Sequence, residues 1–173
     1  MRLIQLDTDC EGPTCLNDNA YELAKAFLPR GDIFFQQVSR YDDIVYTYKM
    51  RPGYEAGSTL KLILPFFQAY GLTNQVATEF SERIQKIYFV PDIVKATSYI
   101  SSMGVPMFAI STSYAPFAAA VARRLGIPRE HVYCSDFDLD SHPVASDEKN
   151  RIRELLDEIV QLPTLGQVGA AET

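Results

Sequence analysis

One run of ten residues constrains this chain more than any other: Leu3-Ile-Gln-Leu-Asp-Thr-Asp-Cys-Glu-Gly12. Leu3 to Leu6 predict a short buried strand. Asp7, Asp9 and Glu11 follow at alternate positions, and Gly12 breaks the run. Residues two apart in a strand share a face, so these acids converge near its carboxyl end, where ligands bind in an α/β sheet. Carboxylates held that close repel one another unless a cation, a proton or hydrogen-bond donors stabilise them. The residue types therefore point to a site for a hard, oxygen-loving ion such as Mg²⁺, with one carboxylate left to act as a nucleophile. The alternative is a strand that runs into an acidic, solvated loop.

The rest of the chain repeats the strand signal at intervals. Asn17 or Asp18 is placed to cap a helix with apolar positions Ala20, Leu23, Ala24, Phe27 and Leu28, ended by Pro29-Arg30-Gly31-Asp32. From Ile33 to about Ile87 the periodicity is helical, with Leu60, Ile63, Leu64 and Phe67 as one stripe and a loop at Arg51 to Gly57. This stretch reads as a helical insert. Ile93, Ala96, Thr97 and Ile100 mark another helix, closed by Gly104. Val105 to Ile110 reads as a buried parallel strand ending in Ser111-Thr112-Ser113. A helix carrying Phe117, Val121 and Leu125 follows, then a strand at His131 to Cys134, then a helix with Ile152, Leu155, Leu156 and Ile159 inward. Strands alternating with helices predict a parallel sheet with right-handed crossovers. The acids after the first strand and Ser111 after the second then lie within reach of one ligand.

Composition narrows the partners. The formal charge of −6 leaves no broad basic surface for nucleic acid or an anionic membrane. It leaves room for a small phosphorylated metabolite, which needs only a metal and one or two local cations. Cys10, Cys15 and Cys134 match no zinc spacing and are expected to be reduced thiols in a cytoplasmic protein, with Cys10 a small filler. No secretory leader is visible, and the longest apolar run, Leu62 to Phe67, is too short to span a bilayer.

At Asp9-Cys10-Glu11-Gly12-Pro13 and Val105 to Ser111 the chain resembles the haloacid dehalogenase-like (HAD) hydrolase superfamily, and most of all its phosphoserine phosphatase and homoserine phosphotransferase-like branch. Its first motif there is a strand ending in D-x-E-G, and its second an apolar strand ending in Ser or Thr. Asn17 to Glu22 also resembles sequences that continue the D-x-E-G-P motif with N-D-N-A-Y-E. The resemblance implies a Rossmann-like α/β core over residues 1–16 and 88–173, with a helical cap at 17–87 inserted after the first strand. It implies a Mg²⁺-dependent phosphatase or phosphotransferase working through an aspartyl-phosphate. With Gly12 as the motif glycine, Asp9 is the nucleophile and Glu11 the acid/base, both near the metal, and Asp7 is a supporting acid. With the strand ending at Leu6, Asp7 is the nucleophile and Asp9 the acid/base; the first register is preferred. Ser111 and Thr112 are expected to hold the phosphoryl group.

The family also needs a lysine and a Gly-Asp-x-x-x-Asp pair on a further strand. Lys149 is the candidate lysine, although a solvated first-turn residue is the simpler reading, and nothing after residue 140 matches the acidic pair. Asp136, Asp138 and Asp140 follow the wrong strand for that role. The chain is therefore expected to be the amino-terminal part of a longer phosphatase, or a shortened relative with little turnover. The competing class is a non-catalytic binding or accessory subunit. In the insert, Arg40 is the candidate for a substrate carboxylate or phosphate, against a solvated helix face with internal ion pairs. His131 and His142 are expected to be structural or surface residues. An absent fourth strand would leave the first with an open edge, a route to a homo-oligomer.

Overall fold

The fold is seen in a computed structural model that describes residues 5–54, 58–83, 88–141 and 143–163. The chain divides into two compact units, Met1–Glu22 with Asn74–Asp138, and Leu23–Thr73 with Leu139–Thr173. His142 and the first two residues of the expected opening strand, Leu3 and Ile4, lie outside the described residues.

The first unit is built on a parallel sheet. Among the described residues its strands are β1 (Leu6–Thr8), β2 (Met107–Tyr114) and β3 (Val132–Ser135), in the order β1-β2-β3. Leu6 pairs with Met107 and Thr8 with Ala109, while Ala109 pairs in turn with Val132. Period-two alternation sorts the side chains. Met107, Ala109 and Val132 point into a core with Phe117, Val121 and Leu125 of helix α6 (Ala115–Leu125). Phe108, Ile110 and Tyr133 take the other face, where Phe108 stacks on the His131 ring at 4.3 Å. His131 also bonds the Met107 carbonyl through Nδ1 at 3.0 Å, so it is structural. Helices α4 (Asn74–Arg83) and α5 (Ile93–Ser102) pack beside α6.

The second unit is helical. Its elements are α2 (Gly31–Asp43), a π-helix (Ile44–Tyr48), α3 (Thr59–Ala69) and α7 (Ser146–Gln161). Helix α1 (Asn19–Phe27) contains the point where the two units divide. Phe34 and Val38 of α2, Ile63 and Phe67 of α3, and Leu156 and Val160 of α7 are buried where these three helices pack. Polar staples reinforce them: Arg153 of α7 donates to the Ala69 carbonyl at 2.7 Å, and Gln37 of α2 to that of Leu162 at 2.9 Å. Gly31 is required where α1 gives way to α2, because a Cβ there would sit 1.8 Å from the Ala24 carbonyl oxygen. Burying these apolar side chains at roughly 25 cal/mol per Å² is the main term that holds each unit together. No described helix is long and apolar enough to cross a membrane.

Candidate active site at the carboxyl end of β1

β1 ends at Thr8, so Asp9 is the first residue beyond the strand. Asp7 lies inside the strand, exposed, and its carboxylate receives both hydrogen bonds of the Gln5 amide, at 2.9 and 3.0 Å. Asp9 is exposed too, but its Oδ1 accepts the Cys10 N–H at 2.6 Å, which fixes the carboxylate at the strand tip. Cys10 turns inward and is 1% exposed. Its thiol lies beside the Ser111 hydroxyl on the neighbouring strand, and burial pushes its pKa up to about 12. A thiol so reluctant to ionise is an inert filler.

The loop after Asp9 is tied down by its own backbone. The Thr14 hydroxyl, the Cys15 N–H (3.0 Å) and the Cys15 thiol (3.1 Å) all converge on the Cys10 carbonyl. Gly12 turns the chain at φ 95°, a conformation that side-chain-bearing residues rarely adopt. The loop then pairs with a distant segment: Leu16 N–H bonds Tyr88 O at 2.8 Å, and Val90 N–H bonds Thr14 O at 3.0 Å. Asn17 completes this clasp, accepting the Tyr88 N–H and donating to Glu22 at 2.7 Å. Asp18 caps α1, accepting the Tyr21 N–H at 2.9 Å.

Glu11 is held differently from Asp9. Its Oε1 accepts the Asn19 N–H, in the first turn of α1, at 2.8 Å. Burial raises its pKa, and the Asn19 N–H and the nearby Ser113 hydroxyl oppose that rise only in part. Ser113 Oγ lies beside the carboxylate, and among the described residues neither side-chain amide atom of Asn19 has a hydrogen-bond partner. Both residues are buried, at 1% and 0% exposure. Period two along β2 puts Ser113 on the inward face with Met107 and Ala109, a signal already present in the sequence. Asn19 stood in an Asn-Asp-Asn run that reads only as helix-cap material.

The loop after β1 and the carboxyl-terminal half of β2 thus bring Asp9, Glu11, Cys10, Ser111 and Ser113 together. Ser111 is half-buried and its Oγ accepts the Ser113 N–H at 3.2 Å; Thr112 is exposed, and its carbonyl accepts the Ser135 hydroxyl at 2.7 Å. Arg40 and Lys149 belong to the second unit. There Arg40 faces Asp43 at 3.9 Å, and Lys149 lies half-buried in the first turn of α7. Asp138 accepts a hydrogen bond from Asn74 at 2.6 Å. Among the described residues, no three His, Cys, Asp or Glu side chains come together as a set of metal ligands. The donor set fits Mg²⁺ in part. Asp9 offers an exposed carboxylate oxygen, and Mg²⁺ needs only one or two carboxylates when phosphate and water fill its shell. Glu11 has one oxygen already committed to Asn19.

No family model matches the chain, and no curated protein does. Several solved structures are similar to it, two of them as follows. The gene product AF1437 from Archaeoglobus fulgidus superposes with a TM-score of 0.85 at 32% identity, over 96% of this chain and 51% of that one. The chain therefore spans about half the length of that relative. A phosphoserine phosphohydrolase-like protein from Francisella tularensis superposes with a TM-score of 0.55 at 17% identity, over 78% of this chain and 58% of its own. At that identity the likeness is one of fold: a mixed α/β architecture whose parallel three-stranded sheet is consistent with a Rossmann-like HAD core.

Proposed function

We propose that the chain carries the nucleophile half of a HAD-like phosphatase or phosphotransferase that acts on a small phosphorylated metabolite. One observation carries this reading. Asp9 stands immediately past β1, and the Ser111 hydroxyl stands on the adjacent strand beside the residue that follows Asp9. That placement supports the register with Asp9 rather than Asp7 as nucleophile. An Asp9 carboxylate oxygen attacks phosphorus, the bond to the leaving oxygen breaks, and an aspartyl-phosphate forms. Glu11, whose burial favours the protonated carboxyl, gives its proton to the leaving oxygen and takes one back from the water that hydrolyses the intermediate. Ser111 holds a phosphoryl oxygen. Mg²⁺, when bound at the Asp9 carboxylate, offsets phosphoryl charge.

The partial donor set favours one competing reading, a binding or accessory subunit that keeps the fold without turnover. Trapping separates the two. The protein is incubated with acetyl phosphate and Mg²⁺, quenched in acid and weighed. A hydroxylamine-labile gain of one phosphoryl group is expected in the wild type and absent in Asp9→Asn, and any turnover should fall on the order of a thousandfold in that variant. Loss in Asp7→Asn instead would move the nucleophile to Asp7, and no adduct in the wild type would favour the accessory reading. Calorimetry with Mg²⁺ should show weak binding in the wild type and none in Asp9→Ala.

A further inference from the structure

The second unit has a feature that the phosphoryl chemistry does not use. Between α2 and α3 the helix widens into the π-helix Ile44–Tyr48, and Met50 then takes a left-handed backbone at φ 42°. π-Turns are rare and gather at functional sites, and a positive φ at a side-chain-bearing residue persists only where its surroundings enforce it. The Lys49 N–H bonds the Ile44 carbonyl at 3.1 Å, the wide-turn pattern, and the Tyr54 N–H bonds the Arg51 carbonyl at 3.0 Å. These bonds shape a cavity of about 470 Å³ lined by Tyr46, Thr47, Met50, Arg51 and Tyr54.

The lining has a consistent chemistry. Tyr46 is 51% exposed and Met50 79%, unusual positions for large apolar side chains. Arg51 is exposed and forms no ion pair among the described residues, whereas Arg40, in the same unit, faces Asp43. The back wall is rigid. The Tyr54 hydroxyl donates to buried Asp42 at 2.6 Å, and Thr59 donates to the other Asp42 oxygen from its N–H (3.1 Å) and its hydroxyl (2.7 Å). Tyr54 therefore presents ring surface to the cavity, its hydroxyl being already used.

We infer that this cavity binds a small anion with an aromatic or apolar body, the anionic head on the Arg51 guanidinium and the body against Tyr46, Met50 and Tyr54. A guanidinium fork matches a planar carboxylate or a phosphoryl group, and tyrosine rings with a flexible thioether suit an arene. The inference is independent of the proposed phosphoryl transfer.

The test uses the full chain and fluorine-detected NMR titration with 4-fluorophenylacetate and, in parallel, 4-fluorobenzylphosphonate, which has no P–O–C bond to cleave. Saturable binding of at least one anion is expected in the millimolar range or tighter, and the tighter of the two identifies the preferred head group. Arg51→Gln should weaken it by about tenfold or more, Arg51→Lys by less, because the charge stays while the fork is lost. Arg51 is exposed and forms no ion pair among the described residues, so these variants should keep the wild-type melting curve. Asp9→Asn should leave binding unchanged. Absence of saturation with both anions, equal binding by Arg51→Gln, or equal binding of uncharged 2-(4-fluorophenyl)ethanol would overturn the inference. Loss of binding in Asp9→Asn would also overturn it, by moving the probe to the strand tips, and would leave the proposed function standing.

Discussion

Each unit withdraws a carboxylate from solvent, and Asp42 and Glu11 are treated in opposite ways. Asp42, in the helical unit, is 6% exposed and receives hydrogen bonds at both oxygens, from the Tyr54 hydroxyl and from Thr59 twice. Glu11, in the sheet unit, receives one firm hydrogen bond from the Asn19 N–H. Around it the Ser113 hydroxyl and the Asn19 amide are buried, and among the described residues the Asn19 amide has no partner at either atom. A buried polar network whose every member is satisfied is structural scaffolding, and its geometry has nothing left to offer a ligand. Unpaired buried groups cost about 1–3 kcal/mol each, a cost that the Asp42 network does not carry.

Three measurements would break or sharpen that contrast. The largest effect is expected for Asp42→Ala, which strands the Tyr54 and Thr59 donors. Chemical denaturation should show a loss of about 3 kcal/mol, with the phosphoryl adduct of the folded protein retained. A loss below half a kcal/mol would mean that Asp42 is not the scaffold described. Ser113→Ala removes a hydroxyl beside a carboxylate that the Asn19 N–H already holds, so its stability should stay within about 1 kcal/mol of the wild type. A large loss would show that the Ser113 hydroxyl is a main support of Glu11.

The smallest effect concerns pH. Burial, then the hydrogen bond to Asp42 and its charge, push Tyr54 up from 10.0 to about 12. The folded state thus holds a proton that the unfolded chain has given up. Its stabilising contribution is complete below pH 10 and lost as the pH climbs from 10 towards 12. Tyr54→Phe should remove this component of alkaline destabilisation, read as the difference between the two proteins' denaturation midpoints over that range. Identical slopes would place the Tyr54 phenol in solvent.

How much of this was legible in the chain varies with the physical origin of each feature. Helix periodicity located α3, where Ile63 and Phe67 are buried as the stripe requires, and α7, where Leu156 is. Short apolar runs located β2 and β3, because a parallel strand covered by a helix is apolar at most of its inward positions, with Ser113 the polar exception on β2. The opening strand ends later than expected, at Thr8 rather than Leu6, since pairing with Met107–Ala109 carries it through Asp7, whose carboxylate points outward to Gln5. The proximity of the Asp9 loop to Ser111 follows from parallel pairing, with Thr8 opposite Ala109, but the second strand does not end at Ser111 as expected: it runs on to Tyr114. Three features were not readable. The bond between Glu11 and Asn19 depends on how the loop after Gly12 folds back. The clasp of Asn17 on Tyr88 joins residues far apart in the chain. The π-helix has no compositional signature, since Ile44-Val-Tyr-Thr-Tyr48 serves equally as an α-helix or a strand.

The clasp between residues 14–17 and 88–90 has a consequence for how the chain finds its fold. β1 and β2 are neighbours in space but stand at opposite ends of a long excursion, Leu6 pairing with Met107. Non-local parallel pairings are slow because closure entropy is lost before contacts repay it. Once Leu16 and Thr14 have met Tyr88 and Val90, the excursion is already closed, and only the short stretches on either side of the clasp remain to be drawn in. Each halving of the open loop recovers about 0.6 kcal/mol of closure entropy, so the clasp acts as a basting stitch that lets the sheet zip locally. It also makes the length of the excursion nearly irrelevant to the sheet, so the chain between the clasped segments could lengthen or shorten without disturbing the pairing that carries Asp9 towards Ser111.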